Sequence, residues 1–296
     1  MPSAKGRGDE NFPVASWLTP RRLRPHVVAF YGFARATDDI ADDPALAPAD
    51  KLARLDAMGR ALDGEDENLG AAAPPAMDGA LGTARDLRAS LVVTGVTARH
   101  AHDLLAAFRR DAVTPRTADW DALMAYCALS AAPVGRMLLD LAGEGDGRAR
   151  KASDALCAAL QVLNHLQDCG ADFRRLGRVY LPADWLAAEG ADVADLAADR
   201  AGPALRRAID RALDATEGLI ARARPLPRHL AGARFAAESG AIIAIAERLA
   251  ARLRRADPLA GRVRLGPPAT AWAVLTGISG ALLARAAGAG RNPQKE

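Results

Sequence analysis

Apolar positions recur along the chain at three- and four-residue steps, the spacing of one helical face, and Gly or Pro breaks separate the runs. Breaks fall at 43–44, 64–79, 114–115, 143–147, 177–182, 202–203, 225–227, 257–258 and 266–268. About eight or nine helices are predicted between them. Residues 48–62 set Leu52, Leu55 and Met58 on one face with Lys51, Arg54 and Asp56 between, and residues 203–222 repeat the pattern with Leu205, Ile209, Leu213 and Ile220. Two stretches lack a charged face. Residues 27–37 (VVAFYGFARAT) carry only Arg35, and residues 155–167 (ALCAALQVLNHLQ) carry no charge, so both are expected to be enclosed by protein.

Composition narrows the class to all-α. Half of the 296 residues are hydrophobic, 25% are charged and only 4% are aromatic, with mean hydropathy near zero, so a sizeable core is available and disorder is excluded. The residues that fill pleated sheets are sparse. Each break is short and no long repeat is visible, so one helical domain is expected over 11–287, with flexible ends at 1–10 and 288–296.

Charge and cysteines limit the partners. Thirty-nine basic against 36 acidic residues leave +3, spread along the chain, so no nucleic-acid surface is expected. Cys127, Cys157 and Cys169 lack metal spacing and read as core thiols in a reducing compartment. The first residues contain no apolar signal segment, and a cytoplasmic location is expected. Residues 269–284 are uncharged but fall short of the ~20 residues that span a bilayer, so a buried helix or peripheral contact with the inner membrane face is expected there.

Both charge-poor stretches run into carboxylates. At 100° per residue, Tyr31, Arg35, Asp38 and Asp42 share an arc of about 60°, and Gln161, Asn164, Asp168 and Asp172 one of about 80°. Leu156, Leu160, Leu163 and Leu166 cover the other side of the second helix. A single DxxxD is more often a solvated face. Two such stripes, each flanked by apolar turns, favour a site. Burying four carboxylates uncompensated costs several kcal/mol per ion, and Arg35 cannot neutralise four. Carboxylates with an amide oxygen suit Mg²⁺, which completes its shell with water and phosphate oxygens. A diphosphate site follows.

The loop after Asp172, FRRLGRVYLP, is suited to phosphate oxygens, although its arginines equally suit a helix C-terminus. Arg21, Arg22 and Arg24 read as solvated charges, and His165 as packing beside the stripe. Nucleotide-binding and serine-hydrolase motifs are absent from the sequence.

Taken together, Tyr31-x3-Arg35-x2-Asp38-x3-Asp42, Gln161-x2-Asn164-x3-Asp168-x3-Asp172 and the GR-x-YLP loop resemble the squalene and phytoene synthase family of head-to-head isoprenoid synthases over roughly residues 11–264. The resemblance implies an all-α isoprenoid synthase fold with a central cavity. It implies three Mg²⁺ ions held with the substrate diphosphate by Asp38, Asp42, Asp168, Asp172 and Asn164. Asp38, Asp168, Asn164 and Tyr126, which matches a family tyrosine near the ionising centre, would be catalytic. Arg35, Arg175, Arg178 and Tyr180 would contact phosphate, and Arg262 matches a late family arginine. Tyr31, Gln161, Ser16, Phe12 and Val134 complete the implied substrate site. Phe12, Phe30, Phe33 and Tyr126 are candidates to face carbocations, and Ser16, Ser130, Asn164 and Tyr126 to hold a water.

The strings ENFPVAS (10–16) and SAAPVGR (130–136) are most similar to the bacterial hydroxysqualene-forming branch of hopanoid and squalene biosynthesis. That branch ionises presqualene diphosphate, captures the rearranged cation with water and needs no NADPH. Coupling to other squalene-pathway enzymes is implied. The alternatives are condensation of two prenyl diphosphates to presqualene diphosphate or phytoene, and a non-catalytic assembly factor on the same fold.

Overall fold

The computed structural model describes residues 19–65, 77–144 and 146–289. These residues hold α-helices, one 3₁₀ turn and no strand, as the composition predicts. Contacts divide the chain into two compact units, 1–116 with 125–143, and 117–124 with 144–296.

The first unit contains α1 (Arg24–Asp42), α2 (Pro48–Asp63), α3 (Asp78–Thr94), α4 (Arg99–Val113), most of α5 (Trp120–Ser130) and α6 (Ala132–Ala142). Helix α1 packs on α2, α3 and α4. Phe30 and Phe33 of α1 join Leu55, Met58, Leu87 and Leu105 in its core, with Phe33 fully enclosed. Both rings are thereby buried among aliphatic side chains. Leu55 and Met58 of the predicted α2 stripe are buried, whereas Leu52 is half-buried.

The second unit contains α7 (Gly147–Leu176), α8 (Ala183–Glu189), a 3₁₀ turn (Val193–Ala197), α9 (Pro203–Ala223), α10 (Leu226–His229), α11 (Ala233–Leu253) and α12 (Pro267–Ala289). Asp146 begins the 30-residue α7 by accepting the Ala149 N–H at 2.6 Å, and Gly177 ends it at φ +64°. Helix α7 packs on α9, α10 and α11, and all four predicted stripe residues of α9 are buried. Indole stacking of Trp120 on Trp185 at 5.2 Å, with Arg211 over the latter, anchors α8.

Helix breaks outnumber those predicted. Gly95, at φ +70°, separates α3 from α4, and a turn at Ala131 separates α5 from α6, where Pro133 starts the new helix. A lone Gly or a Ser-Ala-Ala-Pro run gives a weaker signal than paired Gly and Pro. The last helix is also longer than its uncharged segment: it starts at Pro267 and continues through Arg285. By length and composition alone, Pro267–Ala286 and Trp120–Ala142 are sufficient to cross a bilayer, which corrects the expectation that the former is too short. Half of the second window is buried, but only 11% of the first.

Candidate active site

In the second unit the acidic stripe of α7 lies where the periodicity places it. Within the apolar run 155–167, Cys157, Gln161 and Asn164 alone retain partial exposure, and the same line continues to the half-buried Asp168 and Asp172. Leu156, Leu160, Leu163 and Leu166 form the buried opposite side. Oxygen donors at 164, 168 and 172 therefore follow one another at four-residue steps on one edge of an otherwise enclosed helix.

Cationic and aromatic groups converge on this edge. Arg262 places Nε 2.9 Å from Asp168 Oδ1, with the carboxylate only 12% exposed. The contact is an ion pair whose N–H is not directed at the oxygen, so the buried Nε makes no hydrogen bond. Next to it, Gln167, itself 2% exposed, donates from Nε2 to the Val263 carbonyl at 2.5 Å. Adjacent residues of α7 thus hold adjacent residues of the 262–263 segment. Gly170 allows the same close approach: a Cβ there would lie 2.6 Å from Leu259 Cδ2. Beyond Gly177 the loop folds back, burying Arg178 and stacking the Tyr180 ring on His165 at 3.6 Å, one turn before Asp168. Arg175 is exposed at the end of α7.

Cys169 is the buried neighbour of the stripe. Desolvation, with Asp172 and Asp168 adding to it, pushes its thiol up to about 12. It stays protonated at neutral pH. All three cysteines are free; Cys127 is buried like Cys169, and Cys157 half-buried.

In the first unit, Tyr31, Arg35, Asp38 and Asp42 form a half-buried line on α1. Arg35 reaches Asp38 at 3.4 Å and Asp39 at 2.7 Å. Asp38 is 38% exposed, so the cost of charge burial that the sequence suggested for all four aspartates weighs far less on Asp38 than on Asp168. Tyr126 of α5 is 4% exposed; its hydroxyl donates to Asp111 Oδ2 at 2.6 Å and the Arg110 guanidinium lies 5.4 Å above its ring. One turn on, the Ser130 hydroxyl is buried without a hydrogen-bond partner. Val134 of α6 is half-buried against the core. Phe12, Ser16 and the rest of the ENFPVAS string lie outside the described residues.

Gln167 and Asp111 are the positioning residues that sequence reasoning missed. Gln167 falls between stripe positions, and Asp111 lies 15 residues before its partner, so neither has a periodic signal. Among the described residues, no three His, Cys, Asp or Glu side chains close on one point as a preformed metal cage. The carboxylate and amide oxygens of α7 nevertheless have the hard-donor chemistry of a Mg²⁺ site in which few protein ligands are supplemented by water and phosphate.

Comparison with known proteins agrees with this chemistry. The Squalene/phytoene synthase family profile matches residues 5–269. The hydroxysqualene synthase of Rhodopseudomonas palustris is 42% identical over 288 residues, covering 97% of this chain and 94% of that protein. That of Zymomonas mobilis is 43% identical over 263 residues, covering 88% and 84%. The crystal structure of a squalene synthase from Alicyclobacillus acidocaldarius superposes with a TM-score of 0.69 at 33% identity, covering 82% of this chain and 87% of the other. The chain belongs to the squalene/phytoene synthase family, isoprenoid synthases that act on prenyl diphosphates.

Proposed function

We propose that the chain is a hydroxysqualene synthase that ionises presqualene diphosphate and captures the rearranged cation with water. The observation that carries the reading is the 42% identity to a hydroxysqualene synthase over nearly the full length of both chains. Residues 11–287 act in this reading as one functional domain. Asp38, Asp42, Asp168, Asp172 and Asn164 are the residues for Mg²⁺ and the metal-bound diphosphate. The family uses a divalent metal for diphosphate ionisation, and bound Mg²⁺ would neutralise the leaving polyanion.

The rest of the work belongs to the chain. Arg35, Arg175, Arg178 and Tyr180 hold phosphate oxygens as the C–O bond breaks and its electron pair leaves with diphosphate. Arg262, already a cation at Asp168, keeps that carboxylate compensated before substrate arrives. Tyr126, fixed by Asp111, presents a ring to the developing carbocation. The unpartnered Ser130 hydroxyl, one turn away, is a position to hold the water whose oxygen bonds to carbon and whose proton is then lost. Location in the cytoplasm, coupling to other squalene-pathway enzymes and independence of NADPH belong to the same reading.

Incubation with presqualene diphosphate and Mg²⁺ should give a thirty-carbon alcohol and free diphosphate, with label from isotopic water in the alcohol and no effect of NADPH. Asp168→Asn should lose most turnover with the fold retained, because the amide keeps volume and removes ligand charge. Rapid consumption of farnesyl diphosphate alone would favour the second reading, head-to-head condensation, which the family profile equally covers.

A further inference from the structure

Arg262 reaches the α7 edge on a segment whose backbone is fixed at several points. Arg206 of α9 donates from Nη1 to the Leu253 and Ala256 carbonyls at 3.0 and 3.1 Å, where α11 ends. Asp257 accepts from the Ala201 and Leu259 N–H groups, both at 2.9 Å. Leu259 packs over Gly170, and Gln167 holds the Val263 carbonyl. The Arg262 guanidinium itself is held far less. Its side chain is 25% exposed, and its contact with Asp168 has no N–H directed at the carboxylate, so the pair rests on charge and lacks the forked hydrogen bonds that make an arginine–carboxylate contact tight. A fixed backbone thus carries a side chain that is able to change partners.

We propose that Arg262 competes with Mg²⁺ for Asp168 and yields when diphosphate is there to receive the guanidinium, so that metal and diphosphate bind as a coupled pair. The proposal rests on the assignment of Mg²⁺ and diphosphate to this edge under the hydroxysqualene synthase reading. Asp168 is both the carboxylate that Arg262 compensates and a hard oxygen donor. A dication and a guanidinium on one carboxylate repel each other at short range, and with Asp168 only 12% exposed water screens them little. Mg²⁺ alone must therefore bind against Arg262. A diphosphate reverses the sign: the polyanion attracts the guanidinium, whose rigid fork matches phosphate oxygens, while Mg²⁺ takes over the compensation of Asp168. Arg262 thereby spares the carboxylate an uncompensated buried charge between turnovers, and by linkage each ligand raises the affinity of the other.

The test is calorimetric titration of Mg²⁺ into the full chain, with and without saturating inorganic pyrophosphate, for the wild type, Arg262→Gln and Arg262→Lys. Removal of the competing charge in Arg262→Gln should tighten binding of Mg²⁺ alone at least about fivefold and reduce the enhancement by pyrophosphate by a similar factor. Arg262→Lys keeps a cation at the position and should bind Mg²⁺ alone as weakly as the wild type. Thermal unfolding checks that each variant folds and gives a second readout: Mg²⁺ without pyrophosphate should raise the Tm of Arg262→Gln more than that of the wild type. Binding of Mg²⁺ alone that is unchanged or weaker in Arg262→Gln, or tighter than wild type in Arg262→Lys, would overturn the proposal. Failure of all three proteins to bind Mg²⁺ with pyrophosphate present overturns the metal assignment and the proposal with it. Alcohol formation from presqualene diphosphate without the shift in Arg262→Gln overturns the exchange alone, and the shift without alcohol formation overturns the enzymatic reading alone.

Discussion

Residues 155–167 of α7 and 269–284 of α12 are both free of charge, yet the first run is mostly buried and the second mostly exposed. The difference lies in what faces them. Helix α7 is enclosed by α9, α10 and α11, so its leucines have partners on most sides, and only the Gln161–Asn164–Asp168–Asp172 edge is left half-open. Helix α12 has α11 and the short α10 on its inner side, where it uses glycine and alanine to approach. Lack of charge shows that a helix avoids water; it does not show what covers it. In α7 the cover is protein. In α12 the large apolar side chains point away from it.

The sharpest break of this comparison is a matched truncation. Leu163→Ala in α7 should cost about 3 kcal/mol of unfolding free energy, since the fully buried side chain leaves a cavity. Leu283→Ala in α12 should change stability by less than about 0.5 kcal/mol. Chemical denaturation of both variants checks the pair, and equal losses would mean that α12 is covered in solution.

A smaller effect is expected at the α11–α12 contact. Gly277→Ala places a methyl group against the Gly240 backbone and should cost about 1–3 kcal/mol, with α12 becoming the preferred site of limited proteolysis. Wild-type stability and proteolysis in this variant would show that the close approach does not hold α12 in place.

Thiol chemistry gives the smallest and most local test. Cys157 stands on the half-open edge of α7, whereas Cys169 is buried and its thiol is pushed up to about 12. At neutral and mildly alkaline pH, alkylation followed by peptide mapping should modify Cys157 first and leave Cys169 as the thiol. Because its proton is held more tightly in the folded state, the stability that Cys169 contributes is complete below the ordinary thiol value of 9.0 and is lost as pH rises towards about 12. Early labelling of Cys169 would mean that the α7 edge opens in solution.

Much of this was readable from residue order. Periodicity placed the buried stripe of α9, the leucine side of α7 and the polar line opposite it, because a helix turns by a fixed angle per residue and side chains sort by their affinity for water. The motif strings pointed to the family, since diphosphate chemistry needs carboxylates and arginines at set spacings. Contacts between distant segments were not readable. The pairing of Arg262 with Asp168 spans 94 positions, that of Gln167 with Val263 spans 96, and the loop carrying Tyr180 returns to His165 only because Gly177 turns it. The sequence determined which helical faces are apolar and which carry charge, properties of neighbours along one chain. Tertiary structure alone decided that Phe33 serves the core, that Asp168 meets Arg262 while Asp38 stays near water, and that the leucines of α12 are left uncovered, because each depends on which remote segment occupies the space beside it.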